Sequence, residues 1–251
     1  METPLTPLAL GILSAVSLAT AMLSGVVGMA GGVTLLGVML LFLDPLVAIP
    51  LHGVVQLASN GSRAWIQREQ MRRDILLYYG LLLLPMGFVG LALVERLPAD
   101  ATRTLIGAFV LLATWRPDWM LLGSHPERAH LGRRFLALGG AVGVLNMTIG
   151  AVGPLIAPFF LNLGLGRQAL IGTKAGCQTL GHLAKVAVFG FAGFAFLPWA
   201  LPLAVLTLTT LVGTWLGSAL LERVSEVWFV RLYKGVLTLI ALRLVASSLG
   251  L

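Results

Sequence analysis

The sequence predicts an all-α polytopic membrane protein made of two inverted repeats, each a re-entrant helical hairpin plus three transmembrane helices. Three observations carry this prediction. The chain of 251 residues is 58% hydrophobic and only 11% charged, whereas soluble domains average about 45–50% apolar and about 25% charged. Its apolar residues fall into blocks of spanning length. Its two halves repeat one order of glycines and polar residues. This composition excludes an ordinary soluble enzyme and a disordered chain. The single cysteine, Cys177, excludes an internal disulfide framework and a multi-cysteine metal site.

Residues 5–43 are apolar but interrupted at Gly25, Gly28, Gly31 and Gly32. The arm beyond the break, 33–43, rises about 16 Å, half the hydrocarbon core. Glycine-rich backbone at that depth is tolerated only inside protein or beside a cavity, so this region reads as a re-entrant hairpin with its tip near the midplane. Residues 46–62, 75–94 and 104–122 then come near the roughly 20 apolar residues of a span. In the second half, 135–166 is interrupted at Gly150, Gly153 and Pro154 and leaves a short arm, 155–165. Spans at 168–190, 198–221 and 228–249 follow. Residues 1–125 form the first repeat and 126–251 the second, within one integral membrane domain.

The net charge of +7 comes from short loops, which points to the positive-inside rule and away from nucleic acid. Arg63, Arg68, Arg72 and Arg73 form one group. Arg116, Arg128, Arg133 and Arg134 form another; Arg167 stands alone, and Arg223, Arg231 and Lys234 flank the last connection. All fall on one side, which is expected to be cytoplasmic, with both termini outside a multi-pass plasma (inner) membrane protein. The first Lys or Arg in the chain is Arg63, so no cleaved signal peptide is expected. Trp65, Trp115 and Trp119 sit near segment ends as interface anchors.

Residues 28–63 align without gaps against 150–185. Gly28 meets Gly150, Gly31 meets Gly153, Gln56 meets Gln178, His52 meets Lys174, Asn60 meets His182 and Arg63 meets Lys185. Further on, Gly90, Glu95 and Arg96 match Gly217, Glu222 and Arg223. A hairpin plus three crossings inverts the second half, and inverted repeats with broken helices typify secondary transporters with a midplane site.

The cluster Gly25-Val-Val-Gly28-Met-Ala-Gly31-Gly32 and its echo Gly150-Ala-Val-Gly153-Pro154 resemble the TauE/SafE family, also called the sulfite exporter or 4-toluene sulfonate uptake permease family. The resemblance covers nearly the whole chain. The second cluster departs from it in carrying Asn146 and Thr148 just ahead. The resemblance implies transport of a sulfur-containing anion such as sulfite, sulfoacetate or an aryl sulfonate, and leaves substrate and direction open.

The residues themselves also suit an anion. The second hairpin arms begin near Val33 and Pro154, so their N-termini, with free N–H groups and partial positive charge, point at the midplane. Gly31, Gly32 and Gly153 let backbone approach a ligand, or else serve tight helix packing. Thr34 and Thr148 add hydroxyls. His52, Gln56 and Asn60 are spaced i, i+4, i+8 on one helical face; Lys174, Gln178 and His182 repeat that spacing. Lys174 is the strongest single candidate, a cation inside its helix with no carboxylate near in sequence. The amides donate to sulfonate oxygens. The histidines serve the site or close an interhelical hydrogen bond. Asn146, just before the second tip, joins the candidates. Arg63 reads as a cytoplasmic boundary residue, and Lys185 as lining an exit path or reaching outward.

No P-loop, metal-ligand spacing or nucleophile elbow appears, so no cofactor, metal site or enzymatic activity is expected. The reading is therefore a permease for a sulfonate or sulfite working by alternating access. Its partners are the small anion and membrane lipid, with no nucleic acid, and coupling to a proton or other ion stays open. The rivals are an anion channel and an intramembrane enzyme built on Cys177 and His182.

Overall fold

Proline and glycine decide where these helices start, bend and stop. The computed structural model describes residues 5–27, 30–116, 119, 130–160, 163–220 and 226–248, and among them it contains eleven α-helices and no strand. Helix α1 (Pro7–Val27) opens with Thr6, whose hydroxyl accepts the Ala9 N–H at 3.2 Å, and α2 (Ala30–Met39) follows it. Helix α3 (Pro45–Ile66) has Pro45 in its first turn, where the missing N–H costs nothing.

The expected span 75–94 is two helices, α4 (Arg73–Leu81) and α5 (Leu83–Val94), bent by 41°. Pro85 has no N–H for the Leu81 carbonyl, so the ladder breaks one turn ahead of it. Helix α6 (Ala99–Trp115) is shifted toward the N-terminus from the expected 104–122. Pro98 caps it, Asp100 lies in its first turn, and Arg116 leaves the α region at φ −135°. That residue precedes Pro117, whose ring disfavours helical backbone before it.

The second half contains α7 (Leu131–Thr148), α8 (Gly153–Phe160), α9 (Arg167–Phe191), a 3-10 turn (Leu197–Trp199), α10 (Ala200–Leu220) and α11 (Glu226–Ser248). These lie within a few residues of the expected segments. In the two regions expected as re-entrant hairpins, the first helices have 21 and 18 residues and the second only 10 and 8. At about 1.5 Å per residue, only the second helices are half the bilayer thickness. The second tip turns at Gly150, whose φ of +80° favours glycine. Gly28, Arg128, Glu222 and Arg223, and the expected boundary between residues 125 and 126, lie outside the described residues.

Each hairpin's long arm packs on the opposite half: α1 against α10, and α7 against α4 and α5. Helix α3 packs on α9 and α6 on α11, and α2 touches α8. Glycines make these contacts close. A Cβ on Gly217 of α10 would stand 2.7 Å from the Met22 Cα of α1, and one on Gly90 of α5 would stand 2.8 Å from the Val144 Cα of α7. Helices α3 and α9 run antiparallel at the centre, with Gly53 against Lys185 and Gly61 near Thr179. Two apolar clusters flank them. One gathers Leu36, Ile49, Val55, Ile106 and Ala241; the other gathers Ile75, Tyr79, Phe135, Ile156 and Cys177.

The outside is apolar too. Leu201 and Trp215 of α10 are each 71% exposed, and Leu8, Phe88, Leu208 and Leu239 also face outward. A surface of this kind suits lipid. The stretch Leu197–Gly217 is long and apolar enough to cross a membrane alone, and the bent pair α4–α5 is so if taken as one span.

Candidate functional site

The polar stripes meet where α3 crosses α9, between the two hairpin tips. A cavity of about 470 Å³, mouth included, opens there. From α3 it is lined by His52, Gln56, Asn60 and Arg63, and from α9 by Gln178, Gly181 and His182. The tips contribute Gly32 and Val33 on one side and Ala151, Val152 and Gly153 on the other. Tyr79 of α4 and Val142 and Asn146 of α7 complete it.

Of the expected site residues, Gly32, His52, Gln56, Asn60, Asn146, Gly153, Gln178 and His182 are thus brought together. Gly31, Thr34 and Lys174 lie outside the lining. Gly31 and Thr34 are buried in α2 beside it, and Lys174 sits one turn from Gln178 with its charge felt by Arg63. Long helical side chains lean toward the helix N-terminus.

The same rule explains two residues that sequence reading put elsewhere. Arg63 leans back along α3: its Nη2 donates to Ser59 Oγ at 2.7 Å and its Nε to the Ser59 carbonyl at 3.3 Å. A residue read as a boundary cation therefore reaches the cavity wall, and other N–H groups of its guanidinium remain for a ligand. Its spacing from His52, eleven residues or about three turns, was the available signal. Lys185 leans inward too and has no exposed surface. Its stem passes Gly53 and its Nζ donates to the Gly150 carbonyl at 2.5 Å. It therefore ties α9 to the second tip, and it neither lines the cavity nor reaches outward. Tyr79, which lines the cavity from α4, gave no sequence signal beyond being a tyrosine in an apolar helix.

Two more bonds fix the walls. His52 Nε2 donates to the Gly32 carbonyl at 2.8 Å, holding the first tip, and its ring meets that of His182 edge-on at 5.8 Å. Asn146 Nδ2 donates to the Gly181 carbonyl at 2.8 Å, joining α7 to α9. Gly32 leaves room for the Gln56 amide, because a Cβ there would stand 3.3 Å from its Oε1. Asn60 Nδ2 donates to the Gln56 carbonyl at 3.1 Å.

The helices around the cavity carry no Asp or Glu beyond Asp74 at the start of α4. Among the described residues no carboxylate pairs with Arg63 or Lys185. Such a wall of amide donors with the Arg63 guanidinium suits an anion. Cys177 is wholly buried and lies outside the lining.

A helical bundle with an apolar exterior and a polar cavity between broken helices is the arrangement of a membrane transport protein. The family pattern described as "Sulfite exporter TauE/SafE" matches residues 13–244, nearly the whole chain. The chain belongs to this family of membrane transporters for sulfite and related sulfur anions. No curated protein and no solved structure matches it.

Proposed function

We propose that the chain is a secondary transporter that carries a sulfonate or sulfite across the inner membrane by alternating access. The observation that carries this is the Arg63 guanidinium at the wall of a cavity without carboxylates. The anion's oxygens meet Arg63, the amides of Gln56, Gln178 and Asn60, and the N-terminal backbone of α8 at Gly153. Lys174 adds a second cation one turn away, and an anion between it and Arg63 relieves their mutual repulsion. Gly31 and Thr34 support the first tip from behind.

The two halves act as inverted repeats. The pairing of each long hairpin arm with the opposite half supports this, as does the meeting of α3 with α9 and of α6 with α11. The basic loops face the cytoplasm, and both termini lie outside.

A thermal-shift screen of the purified protein in detergent tests the reading. The panel is sulfite, sulfate, thiosulfate, sulfoacetate, taurine, toluene sulfonate and benzoate. A ligand of the folded state raises the melting temperature with concentration. Selective stabilisation by a sulfur anion, weakened in Lys174→Ala, is expected. Equal stabilisation by every salt, or by none, removes the proposal. Saturable uptake into proteoliposomes distinguishes a carrier from a channel.

A further inference from the structure

We propose that the Tyr79 hydroxyl reads the third oxygen of the bound anion and so sets a preference for sulfonates over carboxylates. This rests on the transport reading above and names the residue that selects the substrate. Ile75 and Tyr79 form the buried face of α4, and both belong to the second apolar cluster. Packing alone asks for an apolar side chain at this position, as at Ile75. The hydroxyl needs a separate account. Tyr79 is 1% exposed and lines the cavity. Among the described residues its Oη makes no hydrogen bond, and it is not one of the sealed polar atoms, as Asn146 Oδ1 is. It borders Gly181, itself a lining residue, whose added Cβ would stand 3.5 Å from Oη. The polar end of the ring therefore faces the cavity. Buried tyrosine hydroxyls normally have a partner, and an anion entering the cavity supplies one.

The other donors show which oxygen is left for it. Arg63 gives Nε and one Nη2 hydrogen to Ser59. That occupies the side of the guanidinium and leaves its end, where Nη1 and the second Nη2 hydrogen form a parallel pair. A carboxylate has two oxygens, and this pair takes both. A sulfonate presents the same two and carries a third that stands out of their line. The Asn60 and Asn146 amide hydrogens are given to the Gln56 and Gly181 carbonyls. Gln56 and Gln178 reach from flexible stems and serve either anion, whereas the packing of its ring fixes Tyr79 in place.

The register of α3 and α9 sets the hydroxyl across from the cation. Gly53 faces Lys185 and Gly61 faces Thr179, so Gly181 lies opposite the turn of α3 that contains Ser59. The Arg63 guanidinium is held at Ser59, and Tyr79 Oη is held at Gly181. The two donors therefore flank one section of the cavity. The cation comes from α3 and the hydroxyl from α4, which packs on α7 and α9. An anion seated on the end of Arg63 turns its third oxygen toward the phenol.

Methanesulfonate and acetate test this, since each is a methyl group on an ionised head and the first has one oxygen more. The full-length protein in detergent at neutral pH is titrated with each by calorimetry. The parent is expected to bind methanesulfonate more tightly. Tyr79→Phe keeps the ring and removes Oη alone. Its melting temperature without ligand should match the parent's. Its affinity for methanesulfonate should fall about tenfold or more, the loss of one hydrogen bond to a charged group, and its affinity for acetate by less than about twofold. Gly181→Ala is the second variant. Its methyl group meets Tyr79 Oη at 3.5 Å and Asn146 Nδ2 at 3.4 Å, which the fold accommodates, and it takes room beside the hydroxyl. It too should weaken methanesulfonate more than acetate. Equal losses for both anions in Tyr79→Phe, or no loss for methanesulfonate, overturn the proposal and leave the transport reading standing. A parent that binds neither anion overturns both. If Tyr79→Phe does not fold, the parent's ranking and Gly181→Ala decide: equal affinity of the parent for the two anions, or equal losses in Gly181→Ala, overturns the proposal.

Discussion

Arg63 shows how much a single side chain's direction matters. Its position at the last turn of α3 suggested a boundary cation, yet its guanidinium folds back on Ser59 and enters the cavity wall. Composition and spacing locate Cα atoms, while rotamers decide which way a long side chain reaches. The short side chains of the stripes, at His52, Gln56, Asn60, Gln178 and His182, were legible because they stay near their own turn. Arg63 and Lys185 were not, because each reaches away from its own turn. Arg63→Gln is expected to weaken anion binding at least tenfold, about 1.4 kcal/mol or more. The melting temperature without ligand should hold or rise, since a cation buried without a counter-ion leaves the fold. Thermal melts with and without anion read both effects. Outside the membrane, the Arg72 guanidinium hydrogen-bonded to Asp74 at 2.6 Å holds that carboxyl below its ordinary value. A depressed carboxylate stabilises the fold above its unfolded titration range and loses that contribution as pH falls through its folded one. Both side chains are more than 40% exposed, so the contribution is at most about 0.5 kcal/mol. A small acid-side drop in melting temperature, absent in Asp74→Asn, is the expected sign.

At the scale of elements, the helices and their breaks were readable because glycine, proline and run length act locally. The short arms begin at Ala30 and Gly153, within a few residues of the expected starts. The bend between α4 and α5 was missed although Pro85 stood in view, because counting apolar residues ignores a missing N–H. Tertiary ties were not readable at all. Nothing in sequence joins Lys185 to Gly150 across 35 residues, yet that bond fixes the second tip. Lys185→Met keeps much of the stem that packs on Gly53 and removes the donor. Faster amide hydrogen exchange over residues 149–155 is expected, with little change in the first hairpin. Unchanged exchange there means that the tip is held by packing alone.

For the whole molecule, the sequence made the helical class and the family legible through composition and the glycine clusters. It did not show how the halves clasp, since close approach depends on what faces each glycine. Gly213 and Gly217 let α10 lie against the backbone of α1. A Gly217→Leu side chain has no space beside Met22, and overpacking of this kind costs about 1–3 kcal/mol or more. Loss of a single symmetrical peak in size-exclusion chromatography, or a markedly lower melting temperature, is the expected outcome. A matching substitution at Gly235, which has no neighbouring atom within 4 Å among the described residues, should be tolerated.

The one thiol of the chain is sealed between α4, α7 and α8, with no exposed surface at Cys177. A maleimide added to the folded protein is expected to leave it unmodified and to react only after denaturation, as mass spectrometry would report. The native chain then needs no cysteine removed before reporter groups are attached. Paired probes on the loops at the two ends of α3 and α9 would follow the opening of either side, by spin or fluorescence distance, in a protein whose own interior stays silent.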